Sequence, residues 1–314
     1  MVTVTDTITA TVIPMDTNNL QQSGLLPMAC RMYTIAGIRF RILCPESWMY
    51  QDDGVLRTFR SQDTTADHTL EFHPVDDLAP PEGIHIYNQP DKHVYIHNGG
   101  QIRYDGSVEK SLSGAYMRTY RQGKKSSIQV RKGALQGHIT AKLVLNAMEM
   151  EHHIAQNGGF LLHASYIGWD SKAILFTAPS GVGKSTQAAL WQTMQGARLL
   201  NGDRTAVMIE KEQVVVCGIP FSGSSGIAEN ETLPLAAIVY LSQAPQTSIV
   251  RLSGVRVFRS IWEGCSVNLW NSEDVTACTE SVLQAVEKVP VFHLACTPDA
   301  SAVTALLQEL TKQG

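Results

Sequence analysis

The sequence predicts an α/β protein, with a β-rich N-terminal part and a C-terminal domain built on a strand, a glycine-rich turn and a helix. Three observations carry this. Short alternating runs bounded by Gly, Asn and Asp dominate from residue 31 to about 134. Near His138 the pattern changes to apolar strands separated by helical segments. The stretch Phe176-Thr177-Ala178-Pro179-Ser180-Gly181-Val182-Gly183-Lys184-Ser185-Thr186 then lies between an apolar strand and a helix-forming run.

A chain of 314 residues has room for two domains. With 44% hydrophobic and 17% charged residues it can bury a sizeable core. The net charge of −4, with no basic run longer than Lys124-Lys125, argues against a broad nucleic-acid surface. No run of 18 apolar residues is available to span a membrane. Six cysteines without a C-x-x-C pair read as reduced, mostly buried thiols of a cytosolic protein. Residues 1–26 are rich in Thr and Asn and lack the charged-then-apolar pattern of a signal peptide, so the expected location is the cytoplasm.

In chain order, residues 1–30 read as a polar lead segment. Residues 31–134 read as a β-rich accessory domain that recruits substrate, beginning with a hairpin of 32–35 and 38–42 across Ala36-Gly37. Alternation recurs at 83–87 and 93–97, with Asn98-Gly99-Gly100 as a turn before 101–104. The Gly- and Lys-containing stretch 122–132 reads as a link to the catalytic domain, residues 135–314. There, one helix is expected over 139–154, with Leu143, Ala147, Met150 and Ile154 near one face. Strands follow at 160–167 and 172–177, then a helix over 184–195 and a strand over 197–200. A hairpin of 205–209 and 213–217, a central strand at 237–241 and helices at 255–263 and 275–286 come next. After a strand at 291–296, the last helix is expected to start with Thr297 as N-cap and Pro298 at its first position.

The glycine-rich turn is a P-loop. Glycines let backbone N–H groups converge on phosphate oxygens, and the following helix N-terminus adds a positive dipole end. Ser180, Gly181, Val182, Gly183, Lys184, Ser185 and Thr186 form the expected triphosphate cradle. Lys184 should reach the β- and γ-phosphates, and the Ser185 hydroxyl should ligate Mg²⁺. The pattern G-x-G-K-[ST] arises by chance in roughly one in a hundred chains of this length. Ala178 departs from the usual first glycine, at a cost of ~1 kcal/mol if that position required positive φ.

Four further features attach to the P-loop. Asp203 follows the strand after the P-loop helix, where an open α/β sheet lines its ligand crevice. It can hold Mg²⁺ or accept the proton of an attacking hydroxyl, and as a bare turn residue it would do neither. His163 ends the apolar run Phe160-Leu161-Leu162 beside the P-loop strand, and Arg204 adjoins Asp203. The Gly/Ser-rich stretch 218–226 reads as a lid. Arg251, on a strand after Ser248-Ile249-Val250, is a weaker candidate for a second phosphate contact. Two clusters are set aside: Glu149-Met150-Glu151-His152-His153 lacks H-E-x-x-H spacing and reads as a solvated helix end, and His93 and His97 read as surface residues on a strand.

From His163 to about Cys296 the chain resembles the HPr kinase/phosphorylase-like kinases, relatives of the phosphoenolpyruvate carboxykinase fold. The resemblance is carried by His163-Ala164-Ser165, the loop 178–186, Asn201-Gly202-Asp203-Arg204, the loop 218–223 and the strand 234–241. It covers under half of the chain. It implies a P-loop kinase domain of HPr kinase/carboxykinase type preceded by the β-rich domain. Where the family has His-Gly before the P-loop strand, this chain has His163-Ala164. Where the family has two adjacent aspartates as base and metal ligand, it has Asp203 next to Arg204. The family's C-terminal HPr-docking segment has no counterpart, so HPr is not the expected acceptor. The wider group includes kinases acting on peptides.

The combined expectation is an ATP- and Mg²⁺-dependent kinase. It transfers the γ-phosphoryl group to a hydroxyl of a protein or peptide Ser, or of a small molecule. Lys184 neutralises charge, Ser185 and Asp203 hold the metal, Asp203 accepts the proton, and His163 or Arg204 meets the γ-phosphate or the acceptor. The alternatives are a carboxykinase-type enzyme and a nucleotide-gated peptide-binding module. No nucleic-acid or membrane partner is expected, and oligomerisation is left open.

Overall fold

The computed structural model describes residues 27–50, 54–106, 112–135 and 137–312. The lead segment expected over 1–30 lies outside the described residues as far as residue 26, and strand β1 (Met28–Ile35) begins within its end. β1 and β2 (Ile38–Pro45) form the expected hairpin, with Ala36 and Gly37 both at positive φ. With β3 (His68–Val75), β4 (Ile84–Gln89), β5 (Lys92–His97), β6 (Gly100–Gly106), β7 (Ala115–Gln122) and β8 (Lys125–Arg131) they build an eight-stranded sheet. Its order is β1-β2-β3-β8-β7-β6-β5-β4. The pairings are antiparallel except β2–β3 and β3–β8.

The stretch read as a link, 122–132, is mostly the interior strand β8, paired on both edges. Lys124 and Lys125 sit at the hairpin turn, while Ser126, Ile128 and Val130 point inward on the period of two. The single helix expected over 139–154 is two helices, α1 (Ala141–Ala147) and α2 (Met150–Gln156). They break at Glu149, whose φ of 45° is left-handed. The cause is tertiary. The Glu149 carboxylate accepts from Arg103 at 2.9 Å and from Arg121 at 3.0 Å, and a charge buried this deeply requires such partners. The 149–153 stretch is therefore not a solvated helix end: Glu149 and His153 are both buried. His93 is likewise half-buried, against His85.

The second half contributes β9 (Gly159–Trp169), β10 (Lys172–Thr177), α3 (Lys184–Gln195), β11 (Arg198–Asn201), β12 (Arg204–Glu210) and β13 (Gln213–Gly218). β14 (Thr232–Gln243), β15 (Ser248–Arg251), α4 (Val255–Trp262), β16 (Cys265–Ser266), α5 (Ser272–Lys288), β17 (Val291–Cys296) and α6 (Ala300–Thr311) follow. The N-cap of α6 is Asp299, not Thr297: its carboxylate accepts from Ser301 N–H at 2.9 Å, and the helix starts beyond Pro298. This half forms a nine-stranded sheet with the path β10-β9-β12-β13-β14-β17-β15, β11 and β16 pairing with β9. The molecule is thus a mixed α/β protein with two large mixed sheets.

Two long strands change partners partway along. β9 pairs with β12 through residues 159–163 and with β10 through 164–169. β14 pairs with β13 at its start, then with β10 and β17. The sheet therefore splits near His163 and Ala164, beside the end of β10. A crevice at such a switch of partners is where α/β sheets bind ligands.

Helices cover both faces. Trp191 of α3 and Leu306 of α6 pack with Phe176, Val239 and Phe292, and Ile261 of α4 and Val282 of α5 pack with Leu162 and Leu175. A third core joins the two sheets, combining Phe40, Phe72 and Ile128 with Leu161, Ala206 and Ile219. Among the described residues no helix is long and apolar enough to cross a membrane.

Candidate phosphate-binding site

The glycine-rich turn read as a P-loop leaves the end of β10 and enters α3 without interruption. Gly181 and Gly183 have φ of 80° and 128°, conformations that an L side chain strains to adopt. Gly183 is the N-cap of α3 and offers no side-chain cap to the first-turn N–H groups. Ala178 is buried and is not among the positive-φ residues, so the missing first glycine carries no strain. Ser180, Gly181, Ser185 and Thr186 are exposed and Val182 half-buried. The Lys184 ammonium is folded onto the loop, donating to the carbonyls of Ala178 at 3.0 Å and Pro179 at 3.4 Å. Burial lowers its pKa, and Asp203 opposes that shift. Lys184 must swing off these carbonyls to reach a phosphate.

The other predicted residues converge from different strands. Arg204 of β12 pairs with His163 of β9, and the Ala164 N–H donates to the Asp203 carbonyl at 3.0 Å. His163 Nε2 lies 3.6 Å from Asp203 Oδ1, beyond hydrogen-bond distance. Burial lowers the His163 pKa, nearby Lys184 and Arg204 reinforce the shift, and Asp203 opposes it. His163 is therefore neutral near pH 7 and has a ring nitrogen available to accept. The guanidinium of Arg204 stands 6.0 Å from the Phe221 ring, and its Nε is buried without a partner. The lid stretch folds back on the same point, with Gly223 packed against Asp203. Arg251 is exposed on the outer strand β15 and lines neither cavity described below.

Two cavities flank these residues. One of about 950 Å³ runs between the sheets, lined by Asp203, Arg204 and Gly223 on one side and Lys92, Asp105 and Tyr116 on the other. The second, about 640 Å³, lies along Gly181, Gly183 and Thr186 and ends at Leu241, Pro245 and Pro298. It adjoins the amides of the P-loop, the first adjoins the carboxylate. Among the described residues no group of three or more His, Cys, Asp and Glu is arranged to hold a metal by itself. The donors present, the Ser185 hydroxyl and the Asp203 carboxylate, suit Mg²⁺, which is usually held by one or two protein oxygens together with phosphates and water.

Two contributors escaped the sequence. Gly264, between α4 and β16, accepts at its carbonyl from His163 N–H at 2.8 Å, and a Cβ there would come within 2.7 Å of Thr177 Oγ1. In sequence it looks like an ordinary glycine after a helix. Thr177 in turn donates to the His163 carbonyl at 3.0 Å. The cavity along 241–245 and 296–298 also had no local signal, because it forms where parallel strand ends meet.

No protein-family model matches the chain, and no curated protein matches it. Among solved structures it is similar to the HPr(Ser) kinase/phosphatase from Coxiella burnetii, at 13% identity and a TM-score of 0.30 over 49% of this chain and 99% of that one. This is a distant structural likeness, and the functional reading rests on the geometry of the chain's own residues.

Proposed function

We propose that the chain is an ATP- and Mg²⁺-dependent phosphotransferase that delivers the γ-phosphoryl group to a hydroxyl of a protein, peptide or small molecule. The observation that carries this is the P-loop itself, with Gly181 and Gly183 at positive φ and Lys184 at the helix start, next to Asp203 and His163 at the split in the sheet. The triphosphate lies on the amides of 180–186, with the nucleoside toward the smaller cavity. The acceptor enters through the larger cavity, so the N-terminal sheet contributes to its choice.

In this reading Ser185 and Asp203 would hold Mg²⁺, which neutralises charge on the β- and γ-phosphates when bound. The acceptor hydroxyl gives its proton to the Asp203 carboxylate as its oxygen bonds to the γ-phosphorus. The bond from that phosphorus to the bridging oxygen breaks and ADP leaves. Lys184 meets the charge on the transferred group, and neutral His163 and Arg204 orient it or the acceptor. Most of the acceleration comes from position and fixed charge.

Lys184→Ala tests the reading by calorimetry with Mg·ATP. The folded variant should lose about 10²–10³-fold in turnover and bind the nucleotide more weakly. Wild-type affinity and turnover would reject the site.

A further inference from the structure

We propose that Asn201 is a positioning residue for Asp203, and that its single buried carboxamide couples the catalytic turn to the root of the glycine/serine loop. The inference rests on the phosphotransferase reading and adds a residue to which that reading gives no role.

Asn201 ends β11 and is fully buried. Its Oδ1 accepts from the backbone N–H of Asp203 at 2.9 Å and of Arg204 at 3.2 Å. Its Nδ2 donates to the Ile219 carbonyl at 2.8 Å. Only a carboxamide of this length offers an acceptor and a donor on one short planar head. Alanine would leave two amides and a carbonyl to find other partners. The same region is stitched a second time: Glu229 N–H donates to the Leu200 carbonyl at 2.8 Å, and Asn201 and Ala228 form an isolated bridge.

The loop then closes on the carboxylate. A Cβ at Gly202 would collide with Ser225 Oγ. A Cβ at Gly223 would lie 2.7 Å from Asp203 Cβ and 3.0 Å from its Cγ, and Gly223 also has φ of +55°. Glycine at both positions permits this approach. Asp203 is thus fixed from three directions: its N–H by Asn201, its carbonyl by Ala164 N–H, and its side chain by Gly223. Loop position and carboxylate position move together, so an acceptor that orders the loop also aligns the base. None of the Asn201 hydrogen bonds reaches the amides of 180–186, which carry most of the nucleotide contact in the proposed reading, so at saturating Mg²⁺ its loss should cost far less in nucleotide affinity than in rate while shifting the carboxylate. A displacement near 1 Å costs about 10²-fold in rate.

The test uses the full chain with Mg·ATP, affinity being read by calorimetry and turnover with water as the acceptor. Asn201→Ala should keep its Kd within about twofold of wild type and lose about 10²-fold in kcat. A loss confined to kcat is a response that a merely structural role would not produce. If Asn201→Ala fails to fold, Asn201→Ser, which keeps an acceptor for the two amides and lacks the reach to Ile219, carries the same test, and Gly223→Ala, which presses on Asp203 from the other side, tests the loop contact. Wild-type kcat in the folded variants overturns the proposal, as does a parallel loss of affinity and kcat. Lys184→Ala measured alongside separates the two failures. If it binds Mg·ATP normally, the phosphotransferase reading falls; if only the Asn201 and Gly223 variants behave as wild type, the positioning role alone falls.

Discussion

Two clusters of charge in this molecule use the same residue types in opposite ways. Where the N-terminal sheet meets α2 and α5, Arg103 pairs with Asp105 at 2.8 Å and with Glu149, Arg121 pairs with Glu149, and His152 Nδ1 lies 2.8 Å from Asp274. The Arg103 and Glu149 side chains are 3% and 1% exposed. Because an arginine N–H can only donate, the Arg121–His152 contact makes Nε2 the acceptor and leaves the Nδ1 proton to Asp274. Each of these charges has a partner, and the cluster holds a joint. At the split in the second sheet, Asp203 and His163 are about one-third exposed, sit 3.6 Å apart, and share their surroundings with an Arg204 Nε that has no partner. Unused hydrogen-bonding capacity beside a cavity is what the proposed function draws on.

The largest effect should separate the clusters by activity. Asp203→Asn should cost about 10²–10⁴-fold in phosphoryl transfer with Mg·ATP still bound. Its stability should change by less than about 0.5 kcal/mol, as for a partly exposed residue away from any closed network. A Mg²⁺ requirement displaced to higher concentration would assign Asp203 to the metal as well as the proton, and transfer at the wild-type rate would leave it as a turn residue. Glu149→Ala should do the reverse. Removing the carboxylate that Arg103 and Arg121 share, with Asp105 left as the only carboxylate on Arg103, should cost about 3 kcal/mol in urea unfolding, with Mg·ATP affinity of the folded fraction unchanged. A loss below 1 kcal/mol would mean that the joint relaxes around the deletion.

Acid should attack the joint before the site. The His68 and His153 rings meet with centroids 3.7 Å apart and planes tilted by 42°, burial being the main cause of lowered pKa in each, with His68 down to about 4. A histidine with a depressed folded-state value contributes stability that is present above its unfolded value near 6.5 and lost as pH falls toward about 4, because the unfolded chain binds the proton first. The groups facing His68 are mixed, with Asp67 opposing the shift and His152, Lys124 and Arg121 reinforcing it. Glu149 and Asp274, both lowered by their partners against desolvation, add a further loss at lower pH. The urea midpoint should therefore fall between pH 6.5 and 5, and His68→Gln should flatten the decline. A flat wild-type profile across that window would contradict the assignment.

The smallest effect concerns Ala178. Since it needs no positive φ, Ala178→Gly should bring no gain in Mg·ATP affinity and a stability loss of about 0.4–1 kcal/mol. A clear gain in affinity would show that the loop adopts a different conformation around the nucleotide.

The comparison also explains what was legible in advance. The glycine-rich turn is contiguous, and the strand 172–177 before it, the helix 184–195 after it and the strand 291–296 on the far side of β14 appear with the expected bounds. Each depends on local periodicity and on glycines that are visible in sequence. The joint is not local. Arg103 and Glu149 are 46 residues apart, and their pairing breaks a helix that the side-chain spacing alone would continue. Strands β3, β7 and β8 were missed because short polar alternation is readable only once its neighbours in the sheet are known. Asp203 could be proposed from sequence because it follows the helix 184–195 closely. Asn201, two residues before it, looked like turn composition, since its worth lies in the Ile219 carbonyl that only the fold brings near.

The central claim is tested most directly by incubating a native extract with γ-radiolabelled ATP, Mg²⁺ and the purified protein. The account predicts a Mg²⁺-dependent labelled acceptor with wild type that is absent with Lys184→Ala and with Asp203→Asn. Equal labelling by wild type and both variants would contradict it, as would no labelling beyond that of the extract alone.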